Sequence, residues 1–536
     1  MSERPSNVAS VVAETLADIG VERIYGIPGG GTTAMTVEAE ARGIRFVLTH
    51  GETSAAIMAA TDAERTGVPG VVVTSNGPGA AAVVDGIAHA LLDRAPLLLL
   101  SDRQPDASNA AGYHQWLDQS RIFSAVAKAS VTLTADHAGD VLRHAVALAL
   151  SDPPGPVHVD VPVGLARKAA ATASGSRASV PDRHPMAIPE EVADRIRSAT
   201  RPVVLAGLGA RDLDAGVLDT AVASLRAPVL ATYKGKGAID ETSPWAAGIL
   251  MSAASEREVL DRADLFISVG LDPVELFPSV PDLEGRRIAL DAYRPTPGVL
   301  APPIHEVIGD LNHLVASLPT SGRSEWQEHE VVDGRRTLEQ RLADATTGDG
   351  GGLHPWTIAS VVDELCSADA DIAVDAGAHF LPIAQAWRTR RPGAFVISNG
   401  LATMGFGLPA ATARSLASPD RRVICCTGDG GLLMVAGELA TAAREAARLT
   451  VVLFDDRTLS LIRVKQVGAE EGQGVAVDGP DWVEVGRGFG FGTTAVATVD
   501  ELRRALIETS EATTPQLIVV ATDPVPYGDI IKELRG

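Results

Sequence analysis

The chain has 536 residues, of which 46% are hydrophobic and only 4% aromatic, and it carries a formal net charge of −22. That length implies several domains, with cores packed chiefly by Ala, Val and Leu. The charge disfavours nucleic acid and anionic membrane surfaces as partners, while leaving room for a local anion site made of backbone amides.

The N-terminus, "MSERPSNVAS", has no basic stretch followed by an apolar one, so no signal peptide is expected. No apolar run approaches the roughly 20 residues that span a bilayer. Strands and helices then alternate. "RFVLTHGE" reads as a strand, "TSAAIMAATDAERTG" as an Ala-rich helix and "GVVVTSNGPG" as a strand ending in a glycine turn. "AAAVVDGIAHALLDR" reads as a helix and "PLLLLSD" as a strand. "RKAAATASGSRASVPDRHP" (Arg167–Pro185) is small, polar and Pro-containing, as linkers are. Further strands follow in "PVVLAGLGA", "APVLATY", "DLFISVG" and "RRIALDA". A second boundary falls at the glycine-rich "TTGDGGGLHP" (Thr346–Pro355). The last block holds "DIAVDAG", "AFVISNG", "RRVICCTGDG", "LTVVLFDD" and "PQLIVVATD". This alternation predicts an α/β fold of three doubly wound parallel-sheet domains, over 1–170, 186–320 and 353–536, without an evident internal repeat. Cys366, Cys425 and Cys426 are expected to be reduced. The adjacent pair would point to opposite faces of a strand, and a cytoplasmic location is expected.

"RRVICCTGDGGLLMVAGELATAAREAARLTVVLFDDRTLSLI" reads as one βαβ unit, with strands at Val423–Cys426 and Thr450–Phe454 and a helix at Leu432–Ala447. Parallel strands joined this way end on the same sheet edge, where open α/β sheets bind ligands. That brings Asp429 beside Asp456. Gly428, Gly430 and Gly431 permit a tight turn and close approach of backbone to ligand, and the helix offers N–H groups to an anion. Two buried carboxylates beside an anion demand a cation between them, and hard oxygen ligands favour Mg²⁺, with Ca²⁺ as the alternative. Taken singly, the glycine turn is a turn and the Asp pair a cap. On one βαβ unit they read as a metal-bridged diphosphate site.

This segment resembles the thiamine-diphosphate motif of the acetolactate synthase, benzoylformate decarboxylase and pyruvate decarboxylase superfamily, and the likeness covers nearly the whole chain. The resemblance implies pyrimidine-binding, central and diphosphate-binding domains, thiamine diphosphate as cofactor, and Asp429, Asp456 and the Thr458 main-chain carbonyl as metal ligands. Gly428, Gly430, Gly431, Leu459, Ser460 and Leu461 would complete that side of the site. The family's usual Asn pair is Asp455–Asp456 here, which adds negative charge. "SNGLATMGFGLPAATARSLASP" (Ser398–Pro419) is similar to the family's preceding segment, which implies that Ala402 and Met404 hold the aminopyrimidine, Met404 propping the cofactor into a V shape. "DAGAHF" (Asp375–Phe380) matches a loop that contacts the diphosphate through Gly377 and Ala378, with His379 facing the reaction centre.

"THGETSAA" places Glu52 where the family carries its catalytic glutamate, a carboxyl that shares a proton with the pyrimidine ring. The His that commonly precedes it is Gly51 here, and His50 lies one residue earlier. "YHQWLDQSRIFSAVAKAS" (Tyr113–Ser130) resembles the loop lining the substrate pocket, which makes Gln115, His114 and Lys128 candidates for binding a 2-oxo acid. Leu459, Leu461 and Ile462 would form an apolar wall, widened where Val464 replaces a Trp. FAD is not expected, because the Arg-Phe-Asp-Asp-Arg run of FAD-carrying members reads "SVGLDPVELFP" here. The resemblance further implies a homodimer or homotetramer with cofactor sites shared between subunits. The implied activity is carboligation of the acetolactate synthase type: decarboxylation of a 2-oxo acid and transfer of the remaining acyl unit to a second carbonyl compound. The alternatives are a simple 2-oxo-acid decarboxylase, of the benzoylformate or sulfopyruvate kind, and a non-catalytic cofactor-binding homologue.

Overall fold

The computed structural model describes residues 6–104, 114–170, 186–251, 254–276, 283–295, 298, 300–348, 351–466, 468 and 472–535. Tyr113 of the substrate loop, 171–185 of the linker, Asp349 and Gly350 of the second boundary, and Phe277 and Pro278 after the middle "VG" strand lie outside the described residues.

The described residues form three six-stranded sheets, parallel throughout. The first contains β1 (Arg23–Gly26), β2 (Arg45–Leu48), β3 (Gly70–Thr74), β4 (Leu97–Arg103), β5 (Ala129–Thr132) and β6 (Pro156–Pro162). The middle sheet contains β7 (Pro202–Ala206), β8 (Val229–Ala231), β9 (Ala246–Ile249), β10 (Leu265–Val269), β11 (Arg287–Asp291) and β12 (His305–Ile308). The third contains β13 (Asp371–Val374), β14 (Phe395–Val396), β15 (Val423–Gly428), β16 (Leu449–Asp455), β17 (Gly492–Val496) and β18 (Gln516–Ala521).

The first sheet runs β2-β1-β3-β4-β6-β5 and the third β14-β13-β15-β16-β18-β17, which is the same order counted within each sheet. The middle sheet differs, running β12-β11-β10-β7-β8-β9. A shared topology therefore exists where no sequence repeat was evident. In each sheet the order reverses between β1 and β3, β7 and β10, and β13 and β15, and the first and third sheets turn back again at their far edge, at β6-β5 and β18-β17. Loops leaving the carboxyl ends of those strands diverge and open a crevice.

The strands read as continuous apolar runs because both sheet faces are covered. In β3, Val71 and Val73 join one core with Leu98 and Leu100 of β4, while Val72 joins another with Leu97 and Leu99. The helix Glu52–Thr66 is Ala-rich because it is packed closely: a Cβ on Gly86 would come within 2.5 Å of the Ala56 Cβ. Cys366, Cys425 and Cys426 are all buried free thiols.

The expected single helix Leu432–Ala447 is instead two, Asp429–Met434 and Glu438–Arg444. The amides of Glu438, Leu439 and Ala440 bond three residues back, to Val435, Ala436 and Gly437, so the second helix opens on a tightened turn. Packing defines two compact units. One holds the first sheet together with Gly400–Pro419 and Val435–Ala447; the other holds the middle and third sheets. Among the described residues no helix is long and apolar enough to cross a membrane.

Candidate cofactor and metal site

In the third sheet, β15 and β16 pair in register from Val423↔Leu449 to Gly428↔Phe454. Asp429 and Asp456 therefore leave adjacent strands at the same edge, as the βαβ reading requires. Asp429 is 2% exposed. Its Oδ1 accepts the Gly430 N–H at 2.7 Å and its Oδ2 the Arg457 N–H at 2.8 Å. Asp456 Oδ1 accepts from the Thr458 N–H at 3.0 Å and Oδ2 from the Ser460 hydroxyl at 2.7 Å. Burial first, and the Asp456 charge second, push the Asp429 carboxyl up to about 7. Burial pushes Asp456 up to about 6. Arg457 adopts φ 57°, the left-handed region, and that strained turn delivers its N–H to Asp429.

The glycines fill a steric requirement. A Cβ on Gly430 would lie 2.7 Å from Leu459 Cδ2, and one on Gly431 would lie 2.7 Å from Asp375 Oδ2. The helix begins at Asp429 rather than Leu432, so its first N–H, that of Gly430, is already bound by Asp429 itself. At the switch point the Thr427 hydroxyl donates to Asp375 Oδ2 at 2.9 Å, tying β15 to β13. His379 is buried, and burial lowers its pKa to about 4, so the imidazole is neutral. Its Nε2 has no hydrogen-bond partner among the described residues.

These features fit a metal-bridged diphosphate. Among the described residues no three His, Cys, Asp or Glu side chains gather to hold a metal by themselves. A cation here would take the two carboxylates and draw its other ligands from a carbonyl, the diphosphate and water, as Mg²⁺ does. The Thr458 carbonyl accepts the Ser460 N–H at 2.9 Å and keeps a second lone pair. Leu461 is half-buried and Ile462 is 48% exposed.

The first-sheet unit holds the remaining candidates. Glu52 is the first residue of its helix, at the carboxyl end of β2. A Cβ on Gly79 would lie 3.2 Å from Glu52 Oε1, so the loop after β3 borders that carboxylate. The same loop receives Gln115, whose backbone adopts φ 58° and whose carbonyl accepts from Asn76 Nδ2 at 3.4 Å. A Cβ on Gly77 would strike that carbonyl at 2.6 Å. The structure thus brings Glu52 and Gln115 to one loop; His114, next to Gln115 in sequence, is exposed. Ala402 also adopts a left-handed φ, 56°, in a segment anchored at Gly400 N–H to Asp93 (2.8 Å) and at the Thr403 hydroxyl to Asp85 (3.2 Å). Met404 in that segment is 37% exposed.

Lys128 is not brought to this edge. It precedes β5 at the amino end of the sheet, and its Nζ donates to the carbonyl and hydroxyl of Ser151, which caps the helix Ala138–Leu150. A cation there meets the negative end of the helix dipole, which accounts for the residue structurally.

Sequence reasoning passed over Thr427, Asp375 as a hydrogen-bonding partner, and Tyr527. Tyr527 is fully buried, its hydroxyl has no partner among the described residues, and burial followed by Asp456 and Asp429 raises its pKa well above the usual phenol value. No local pattern announces it, because it lies far along the chain from both aspartates.

Comparison with known proteins matches three family models in chain order. They are the thiamine pyrophosphate enzyme N-terminal TPP-binding domain over residues 6–122, its central domain over 189–318, and its C-terminal TPP-binding domain over 375–520. A probable 2-ketoarginine decarboxylase of Pseudomonas aeruginosa is 30% identical, covering 94% of this chain and 92% of its own length. The acetolactate synthase isozyme 1 large subunit of Escherichia coli is 29% identical (98% and 97%), and the acetolactate synthase of Bacillus subtilis 26% (98% and 94%).

Proposed function

The chain belongs to the thiamine pyrophosphate enzyme family, and from that premise we propose that it decarboxylates a small 2-oxo acid and joins the remaining acyl unit to a second carbonyl compound. The observation that carries this reading is the pairing of buried Asp429 with half-buried Asp456 at adjacent strand ends, each raised in pKa and each with lone pairs to spare.

On this reading residues 1–170, 186–320 and 353–536 are the pyrimidine-binding, central and diphosphate-binding domains. Mg²⁺ is held by Asp429, Asp456 and the Thr458 carbonyl. Gly377, Ala378, His379, Gly428, Gly430, Gly431 and Ser460 line the diphosphate side, and Ala402 and Met404 hold the aminopyrimidine. When bound, thiamine diphosphate supplies a nucleophilic carbon and an electron sink for decarboxylation. Glu52 holds a proton against the pyrimidine nitrogen, which requires hydrogen-bond reach and a fixed loop. Gln115, with His114 beside it, orients substrate from a backbone locked in the left-handed region. Leu459 and Leu461 exclude water, which disfavours simple protonation of the bound acyl unit. We further infer a cytoplasmic homodimer or homotetramer with cofactor sites shared between subunits, and no bound FAD.

The similarity to a probable 2-ketoarginine decarboxylase supports a second reading, non-oxidative decarboxylation alone. A product screen separates the two. The enzyme is incubated with pyruvate, phenylglyoxylate and other 2-oxo acids, with and without an added aldehyde or second 2-oxo acid, and products are identified by mass spectrometry. Acyloin or acetohydroxy-acid products support carboligation. Aldehyde alone under every condition selects decarboxylation, and no turnover with cofactor bound supports a non-catalytic homologue.

A further inference from the structure

We propose that Glu438 and Thr441 are positioning residues for Glu52, acting through His50 on the loop that presents it. The inference rests on the reading of Glu52 given above. The displaced histidine of this chain is what draws the two elements together, and all the residues concerned belong to one compact unit.

Edge strand β2 and the loop after it are stitched along the helix Glu438–Arg444 from end to end. Arg45, the first residue of β2, pairs with Glu445. The Leu48 carbonyl, at the other end of β2, accepts a hydrogen bond from Arg444 Nη2. His50 then makes two contacts. Its backbone N–H donates to Glu438 Oε1 at 3.0 Å, and its Nδ1 lies 2.9 Å from Thr441 Oγ1. The Thr441 hydroxyl in turn donates to Glu438 Oε2 at 2.7 Å.

The proton assignments follow from the acceptor. A carboxylate can only accept, so the Thr441 hydroxyl spends its single proton on Glu438. It must therefore accept from His50, which fixes the proton on Nδ1. Glu438 is 2% exposed and Thr441 is fully buried, so each broken bond would strand a polar atom away from water. The amide-to-carboxylate bond is charge-assisted and stronger than a neutral one.

Gly437 sits against His50, where a Cβ would come within 3.2 Å of the His50 Cβ. The tightened turn before Glu438 lets the loop approach closely enough for these bonds. Glu52 lies only two residues beyond His50, so anchoring His50 fixes where the first turn of the Glu52 helix begins. A proton-transfer group misplaced by about 1 Å can lose on the order of 100-fold in rate.

Hydrogen–deuterium exchange on the cofactor-free protein, read by mass spectrometry, tests the anchor without any catalysis. Glu438→Ala is expected to speed amide exchange in peptides covering 48–52 by about tenfold or more, leaving β15 and β16 protected. Glu438→Gln should restore much of the protection, because its amide oxygen still accepts the His50 N–H. Thr441→Val, a change of shape-matched side chain, should give an intermediate effect and covers the case in which Glu438→Ala does not fold. With thiamine diphosphate and Mg²⁺ added, Glu438→Ala should slow exchange of the thiazolium C2 proton by roughly 10- to 100-fold at unchanged cofactor affinity. Wild-type protection of 48–52 in both Glu438→Ala and Thr441→Val would overturn the proposal, as would Glu438→Gln exchanging as fast as Glu438→Ala. Wild-type C2 exchange in Glu52→Ala would overturn the reading of Glu52 and the positioning role with it.

Discussion

The middle and third sheets each place carboxyl groups at a carboxyl edge, where every oxygen accepts one hydrogen bond, and the two sites differ in how the carboxyls are grouped. In the middle sheet Glu275 is answered from within. Its Oε2 accepts the Leu208 N–H at 2.6 Å and its Oε1 the Thr232 hydroxyl at 2.6 Å. Burial pushes it up to about 8, so at neutral pH it is predominantly a neutral acid. The crevice around it is closed: a Cβ on Gly207 would lie 2.4 Å from the Leu271 Cα. The Leu208 amide, at the turn where a nucleotide diphosphate would be held in such a sheet, is already occupied by a side chain. In the third sheet two carboxyls share one edge, and Asp456 is itself a cause of the raised pKa of Asp429. As at Glu275, each oxygen accepts one hydrogen bond, so the pairing of two carboxyls, and not the bond count, sets this edge apart. The grouping separates a lone carboxyl held by its own neighbours from a pair proposed to ligate. All three carboxyls are raised in pKa, and only the pair would gain when a cation arrives.

The largest effect should come from breaking the third-sheet pair. Asp429→Ala should weaken thiamine diphosphate binding in Mg²⁺ by more than about 100-fold, whereas Asp456→Asn, which keeps a ligating oxygen, should retain it. Calorimetric titration reads both, and unchanged affinity in Asp429→Ala would erase the distinction drawn above. A smaller effect should follow pH. With the metal-free carboxyls at about 7 and about 6, protons compete with the cation. Affinity should therefore fall as pH is lowered from 8 to 5.5, by about tenfold per unit where one proton must be displaced. A flat profile would mean the carboxyls are not ligands.

Glu275 should behave differently and more weakly. Its folded pKa is raised above the usual carboxylate value, so the stability it contributes is fully present below about 4.5 and is lost as pH rises towards about 8. Asp291, raised by burial to about 7, acts in the same direction. Glu275→Gln should leave cofactor binding unchanged and should lose less thermal stability than wild type between pH 5 and 8.5, a difference of a few °C, roughly the scale of 1 kcal/mol. Equal slopes in the two proteins would show that Glu275 stays in its usual titration range.

Much of this was legible in the sequence, for a physical reason. Asp429, Asp456 and Glu52 each follow an apolar run, and strand ends of a parallel sheet converge on one edge whatever the intervening chain does. Six strands escaped notice: β1, β5, β9, β12 and β17 are short or lie at sheet edges, and β9 reads AAGI, whereas β6 (Pro156–Pro162) is a seven-residue interior strand interrupted by His158 and Asp160. The split helix escaped because the helix Glu438–Arg444 takes its partners, His50 among them, from a distant segment. Lys128 misled because its motif position says nothing about Ser151, which holds it. The shared topology of the first and third sheets left no repeat, since strand order constrains burial and not residue identity.

Asp429 and Asp456 are proposed to hold a divalent cation together with a diphosphate. Electron paramagnetic resonance of Mn²⁺ tests it most directly, because protein-bound Mn²⁺ can be counted against the sharp signal of the free ion. Uptake of one Mn²⁺ per chain that requires thiamine diphosphate, and that is lost in Asp429→Ala, is the predicted result. Uptake independent of thiamine diphosphate, or undiminished in Asp429→Ala, would contradict the account.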